Sequence, residues 1–270
     1  MPSYLCVTCG TQYPAAPGPP EGCLICAEER QYVGLDGQKW TTLDELRASR
    51  KNEFIPREPN LTAILTKPAF AIGQRAFLLE TAGGNVLWDC IALIDDDTIR
   101  EIKSRGGLAA IAISHPHYYT SMVEWSRVFG GVPVYLHEDD RQWVVAHDEM
   151  LQFWSGETCG MHDGITLIRC GGHFEGGTIL HWPRGAEGRG AVLSGDIIQV
   201  VPDRRWVSFM YSYPNLIPLG PRAIRRILHA VQPFEFDRIY GAFHPMEVVT
   251  DGRCAVERSA QRYLQAIWSY

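Results

Sequence analysis

The sequence predicts an α/β fold behind a small, separate N-terminal segment. Three observations predict it. Two Cys-x-x-Cys pairs crowd the first 26 residues, where Pro14, Pro17, Pro19 and Pro20 rule out regular structure. From Leu61 onward, short apolar runs alternate with helical patterns. Single histidines and an aspartate stand where those apolar runs stop.

The bulk numbers narrow the class. A chain of 270 residues is long enough for one large core with a small satellite. Its formal charge of -6 argues against a nucleic-acid partner. No stretch reaches membrane-spanning length, so no membrane partner is expected. The segment Met1 to Cys6 has no basic region followed by an apolar run, so the expected compartment is a reducing cytoplasm. Of eight cysteines, four are paired in spacing, while Cys90, Cys159, Cys170 and Cys254 are scattered.

Residues 1–33 read as a knuckle closed by Cys6, Cys9, Cys23 and Cys26. Each Cys-x-x-Cys wraps two sulfurs around one face of an ion, and two such turns complete a tetrahedron. Gly10 after Cys9 suits the tight turn. The stretch Cys6 to Tyr13 resembles a rubredoxin knuckle, which leaves iron open. The loop between the pairs is much shorter than in rubredoxins, and structural zinc is the expected ion. Residues 34–60 read as a short helix, Leu43 to Ser49 capped by Thr42, and a connector from Lys51 to Asn60 holding Pro56 and Pro59.

Residues 61–270 form the main domain. Strands are expected over 61–66, 75–80, 85–89, 108–113, 132–136, 165–169, 178–182, 191–193 and 238–240. Helices are expected over 95–104, 122–129, 139–147, 221–230 and 253–269. His115 and His117 lie just past the strand 108–113. His173 follows Gly171-Gly172, Asp196 follows Ser194-Gly195, and His244 follows the strand 238–240. Loops at strand ends vary on a rigid base, which is where α/β sites collect. His137, His147, His162, His181 and His229 lack such a pattern and read as ordinary histidines.

From about Leu61 the chain resembles the metallo-β-lactamase-fold hydrolases. The resemblance rests on the strand order, Asp89 at a strand end, the His115-x-His117 motif, the lone His173, Gly195-Asp196 and the final His244. It covers about three quarters of the chain and implies a four-layer αββα sandwich. It implies that His115, His117 and His173 form one metal site, with Asp196 as bridging or fourth ligand and His244 as a remnant of a second site. The family motif is H-x-H-x-D-H, but Tyr119 and Thr120 stand at the Asp and last His positions. One ion, zinc or iron, is therefore expected at the histidines. Asp89 is expected to buttress a histidine from behind.

The expected function is metal-dependent hydrolysis of an ester, thioester, lactone or amide in a small molecule. A metal-bound hydroxide would do the attack. Asp196 would orient that hydroxide or take its proton. Tyr119 would either donate a hydrogen bond to a developing oxyanion or fill the lost second site. The alternative is a non-catalytic metal- or ligand-binding scaffold. Arg204, Arg205, Trp206, Phe209, Tyr211 and Tyr213 follow Asp196 closely and would line a pocket for an organic anion or ester, or else serve packing or a homodimer contact.

Overall fold

The computed structural model describes residues 1–268 and divides into two compact units. The first holds Met1–Leu136 with Arg141–Phe153, and the second His137–Asp140 with the chain from Trp154 onward. Among the described residues, no helix is long and apolar enough to cross a membrane.

In the first unit, β1 (Leu5–Cys6) and β2 (Trp40–Thr41) pair antiparallel and tie the ends of the cysteine segment together. The helix Leu43–Ser49 follows. Thr42 caps it reciprocally: its hydroxyl accepts the Glu45 N–H at 3.3 Å, and the Glu45 carboxylate accepts the Thr42 N–H at 3.0 Å. The helix buries Leu46 against Leu5, Ala92 and Leu93, which ties the N-terminal segment to the sheet that follows.

That sheet has seven strands in chain order: β3 (Lys51–Glu58), β4 (Leu61–Lys67), β5 (Ala76–Leu79), β6 (Val86–Trp88), β7 (Ala110–Ala112), β8 (Val134–His137) and β9 (Leu151–Trp154). Strands β3 to β6 form an antiparallel meander, while β6, β7 and β8 run parallel. The parallel strands are apolar and buried throughout their middle, as crossover-covered strands must be. Their crossovers carry the helices Asp96–Ser104, capped by Asp95, and Met122–Val128.

One expectation fails here. Residues 51–58, read as connector, are the edge strand β3. Proline argues against a strand because it gives no ladder donor, but an edge strand tolerates it. Pro56 sits on that edge, where the register to β4 slips between Pro56 and Glu58.

The second unit carries β10 (Thr158–Gly160), β11 (Thr166–Arg169), β12 (Thr178–Trp182) and β13 (Ala191–Gly195). Two small pairs follow, β14 (Gln199–Val200) with β15 (Val207–Ser208) and β16 (Met210–Ser212) with β17 (Ile217–Pro218). Then come β18 (Arg238–Gly241) and β19 (Glu247–Val248). The six-stranded sheet has the order β10-β11-β12-β13-β18-β19. β13 and β18 pair in parallel through the helix Pro221–Val231, which starts on proline and buries Ile224, Ile227 and Val231. The helix Gly252–Trp268 adds Ala255, Val256 and Ala260 to the same core. Ser269, the last residue of the expected terminal helix, lies outside the described residues.

The expected helix over 139–147 is a 3-10 segment, Glu138–Trp143. Its acidic run has no continuous apolar face to bury. Asp140 turns its carboxylate inward to the Gly176 N–H instead.

Thr42→Ala removes a reciprocal cap and should lower stability by about 1 kcal/mol, read from the urea midpoint. The Thr41 hydroxyl, followed by the Thr42 N–H, holds the Glu45 carboxyl below its usual range. A group with a depressed folded pKa stabilises above its unfolded value and loses that effect as pH falls through the folded one. The penalty of Glu45→Gln, which removes the charge that the Thr41 hydroxyl and the Thr42 N–H hold, should therefore shrink in acid; a penalty unchanged down to full carboxylate protonation would argue against the box.

Candidate metal centres

The four thiols converge. Backbone turns bring each pair around, with Gly10 N–H donating to the Cys6 carbonyl at 2.8 Å and Ala27 N–H to that of Cys23 at 2.9 Å. Cys6 Sγ lies 3.5 Å from Cys26 Sγ, and Cys9 Sγ 3.6 Å from Cys23 Sγ. A tetrahedron of ~2.3 Å metal–sulfur bonds sets its sulfurs about 3.8 Å apart, whereas a disulfide needs about 2 Å. All four are buried and none is bridged. Crowded thiols cannot all ionise without a cation: the Cys23 thiol draws Cys6 far below the ordinary thiol range and pushes Cys26 far above it. The Gln38 amide donates to Cys6 Sγ at 3.1 Å. Ile25, Tyr13, Trp40 and Trp143 pack around the cluster.

The first histidine pair stands on β7. Past its end, Ser114 N–H donates to the buried Asp89 carboxylate at 2.7 Å, and Ser114 Oγ lies 3.0 Å from His115 Nδ1. The Asp89 carboxylate thus holds the backbone of the residue before His115. A 3-10 turn, Pro116–Tyr118, then carries His117 beside His115, with ring centroids 5.1 Å apart. Tyr118 is fully buried with its ring 4.4 Å from that of His115. The turn is pinned beyond: Ser121 Oγ donates to the Ala92 carbonyl and Trp125 Nε1 to that of Ile91, each at 2.8 Å.

In the second unit His173 follows β11. Its Nδ1 lies 2.7 Å from the Tyr211 carbonyl oxygen. A carbonyl only accepts, so Nδ1 carries the proton and Nε2 keeps its lone pair for an ion. The loop closes on Asp140, whose Oδ1 accepts the Gly176 N–H at 2.9 Å. A Cβ at Gly176 would sit 2.8 Å from both the Asp140 carboxylate and His137 Cβ, so only glycine fits. Asp196 comes directly after β13. Its backbone carbonyl accepts the Tyr213 hydroxyl at 2.7 Å, and the Tyr213 ring lies 5.6 Å from that of His173. Burial, then the Asp196 charge, pushes the Tyr213 phenol well above its ordinary range, so it remains a neutral donor.

One ligand atom each of His115, His117, His173 and Asp196 falls within 4.8 Å of every other, and all four residues are buried. His244 is exposed and stands outside this group. Tyr119 is buried and lines a crevice with Thr11, Gln12, Thr120 and Met122. The aromatic stretch divides. Phe209 is core, and Trp206 is covered by Arg258 and Arg262. Arg204 and Arg205 are exposed, and Arg205 is paired with Asp203. Tyr211 and Tyr213 are the aromatics of this stretch that meet His173 and Asp196, through the Tyr211 carbonyl and the Tyr213 hydroxyl and ring. Sequence reasoning missed the Tyr211 carbonyl and Asp140, because a backbone acceptor and a lone acidic residue leave no spacing pattern.

Elemental analysis should return about two ions per chain, one at each cluster. His115→Ala and His173→Ala should each empty the histidine cluster and leave the thiol ion, while His244→Ala retains both. Loss of the ion in His244→Ala with retention in His115→Ala would overturn the grouping.

No family model matches the chain. Its fold is that of solved metallo-β-lactamases. The mono-zinc form of FIM-1 from Pseudomonas aeruginosa superposes with a TM-score of 0.58 at 17% identity, covering 80% of this chain and 96% of that one. DIM-1 metallo-β-lactamase gives 0.59 at 13% identity, covering 80% and 98%. The expected α/β fold class with an N-terminal four-cysteine cluster therefore holds. The uncharacterized protein YmaE of Bacillus subtilis (strain 168) is 50% identical over 269 residues, spanning 99% of this chain and 97% of that protein. At that identity over nearly the whole length of both, the chain belongs to the same family as YmaE.

Proposed function

We propose that the protein is a metal-dependent hydrolase of a small ester, thioester, lactone or amide. The observation that carries this is the convergence of three imidazoles and one carboxylate in a buried cluster. The three imidazole nitrogens suit zinc or iron and would leave the fourth position of such an ion to water, with the Asp196 carboxylate beside it. The metallo-β-lactamase fold of the chain supports the reading. An ion held there would act as a Lewis acid and make water acidic near neutral pH.

The chain's own residues divide the remaining work. Asp196 is the carboxylate placed to take the proton that an attacking water loses. The Tyr211 carbonyl and Ser114 hydroxyl hold His173 and His115 by their Nδ1 atoms, which fixes the rings before substrate arrives. Tyr213 fixes the backbone of Asp196 and flanks His173. The thiol cluster, with every ligand a cysteine, is a closed structural site for zinc.

The test is turnover of a panel of esters, thioesters and lactones by protein with a measured metal content. Asp196→Asn should lower kcat by about 10²-fold or more. Tyr119 lines the crevice beside Thr11 and Gln12, so Tyr119→Phe should leave kcat within about twofold. A larger loss with metal retained would instead give its hydroxyl an oxyanion role. A fully metal-loaded protein that turns over none of the panel would favour a binding scaffold.

A further inference from the structure

The cysteine knuckle meets the loop that carries His115 and His117. Gln12, three residues after Cys9, donates its backbone N–H to the Thr120 carbonyl at 3.0 Å. Thr120 has φ +35, a left-handed conformation that a β-branched residue rarely adopts. On the other side of the same turn, Gly10 has no side chain. A Cβ there would lie 3.3 Å from Thr120 Cγ2, and equally close to Ala71 and Ala92. The Ala92 carbonyl in turn holds Ser121. Thr11 and Gln12 share a crevice with Tyr119 and Thr120. A strained residue persists only where its surroundings over-determine it.

We propose that the four-cysteine knuckle is the positioning element of the histidine loop: it clamps Thr120, and the order of residues 114–122 depends on the knuckle being closed. The knuckle is too small to hold this turn by a core of its own, so the ion that closes it also sets the loop. The metal affinity of His115 and His117 then follows the state of thiols that do not touch that ion. Extraction of its metal loosens the ligand loop without altering any histidine.

The experiment is hydrogen exchange by mass spectrometry on the full chain, comparing peptides over 114–122 and 171–177. Cys26→Ser removes one sulfur of the knuckle and leaves every residue around Thr120 in place. It should raise exchange in 114–122 about tenfold, leave 171–177 unchanged, and weaken the histidine-site ion about tenfold in a chelator competition. In the unaltered chain, a mercurial thiol reagent that extracts the knuckle ion should reproduce the selective rise in 114–122. Unchanged exchange in 114–122 after extraction overturns the proposal. So does an equal rise in both peptides, whether from Cys26→Ser or from extraction. The exchange comparison reads the clamp even if the histidines hold no ion, so failure of the metal-site reading remains separately visible.

Discussion

A buried imidazole offers one nitrogen to an ion only when its other nitrogen is held, and this requirement organises the structure around the histidines. His173 is held by the Tyr211 carbonyl and His115 by the Ser114 hydroxyl, each through Nδ1. Those partners need support in turn. Ser114 is fixed by the Asp89 carboxylate at the end of β6. Tyr211 is fixed by the small strand pair β16–β17, which leans on the terminal helix through Tyr263: its hydroxyl accepts the Leu219 N–H at 3.1 Å and donates to the Phe209 carbonyl. The short strands after Asp196, apparently an irregular loop in sequence, are thus the frame for one histidine.

The same requirement explains which parts of the site were legible. His115, His117, His173 and Asp196 were readable because each is a side chain at the end of an apolar strand, and apolar runs are visible. Asp89 was visible as a strand-end carboxylate for the same reason. The carbonyl of Tyr211 was not, because every residue has one and only the fold says where it points. Asp140 looked like part of an acidic helix; its role depends on meeting Gly176, 36 residues away. The aromatic stretch misled in part because core, stacking and site residues share one composition. Phe209 packs on Tyr263 at 5.9 Å, while Tyr213, four residues later, lies against His173.

Prolines misled in a related way. Pro56 marked a connector by its missing donor, yet an unpaired edge has no use for that donor. What the sequence lacked was the knowledge that β3 is an edge, which follows from sheet order rather than local pattern. The capping box at Thr42 is the opposite case. Every group it needs lies within four residues, so it was fully local and the helix Leu43–Ser49 formed as expected.

Tyr119 and Thr120 are the two positions where the chain departs from the motif it resembles, and they are also the two motif residues that line the crevice with the knuckle. A second-ion pocket would need ligand side chains there. Instead, Thr120 directs its methyl toward the space left by Gly10 and gives its carbonyl to Gln12, in a conformation that costs about 1–3 kcal/mol. A Cβ at Gly10 would press on that methyl. Gly10 and Thr120 therefore share one space, and close packing leaves no room there for a side chain from both.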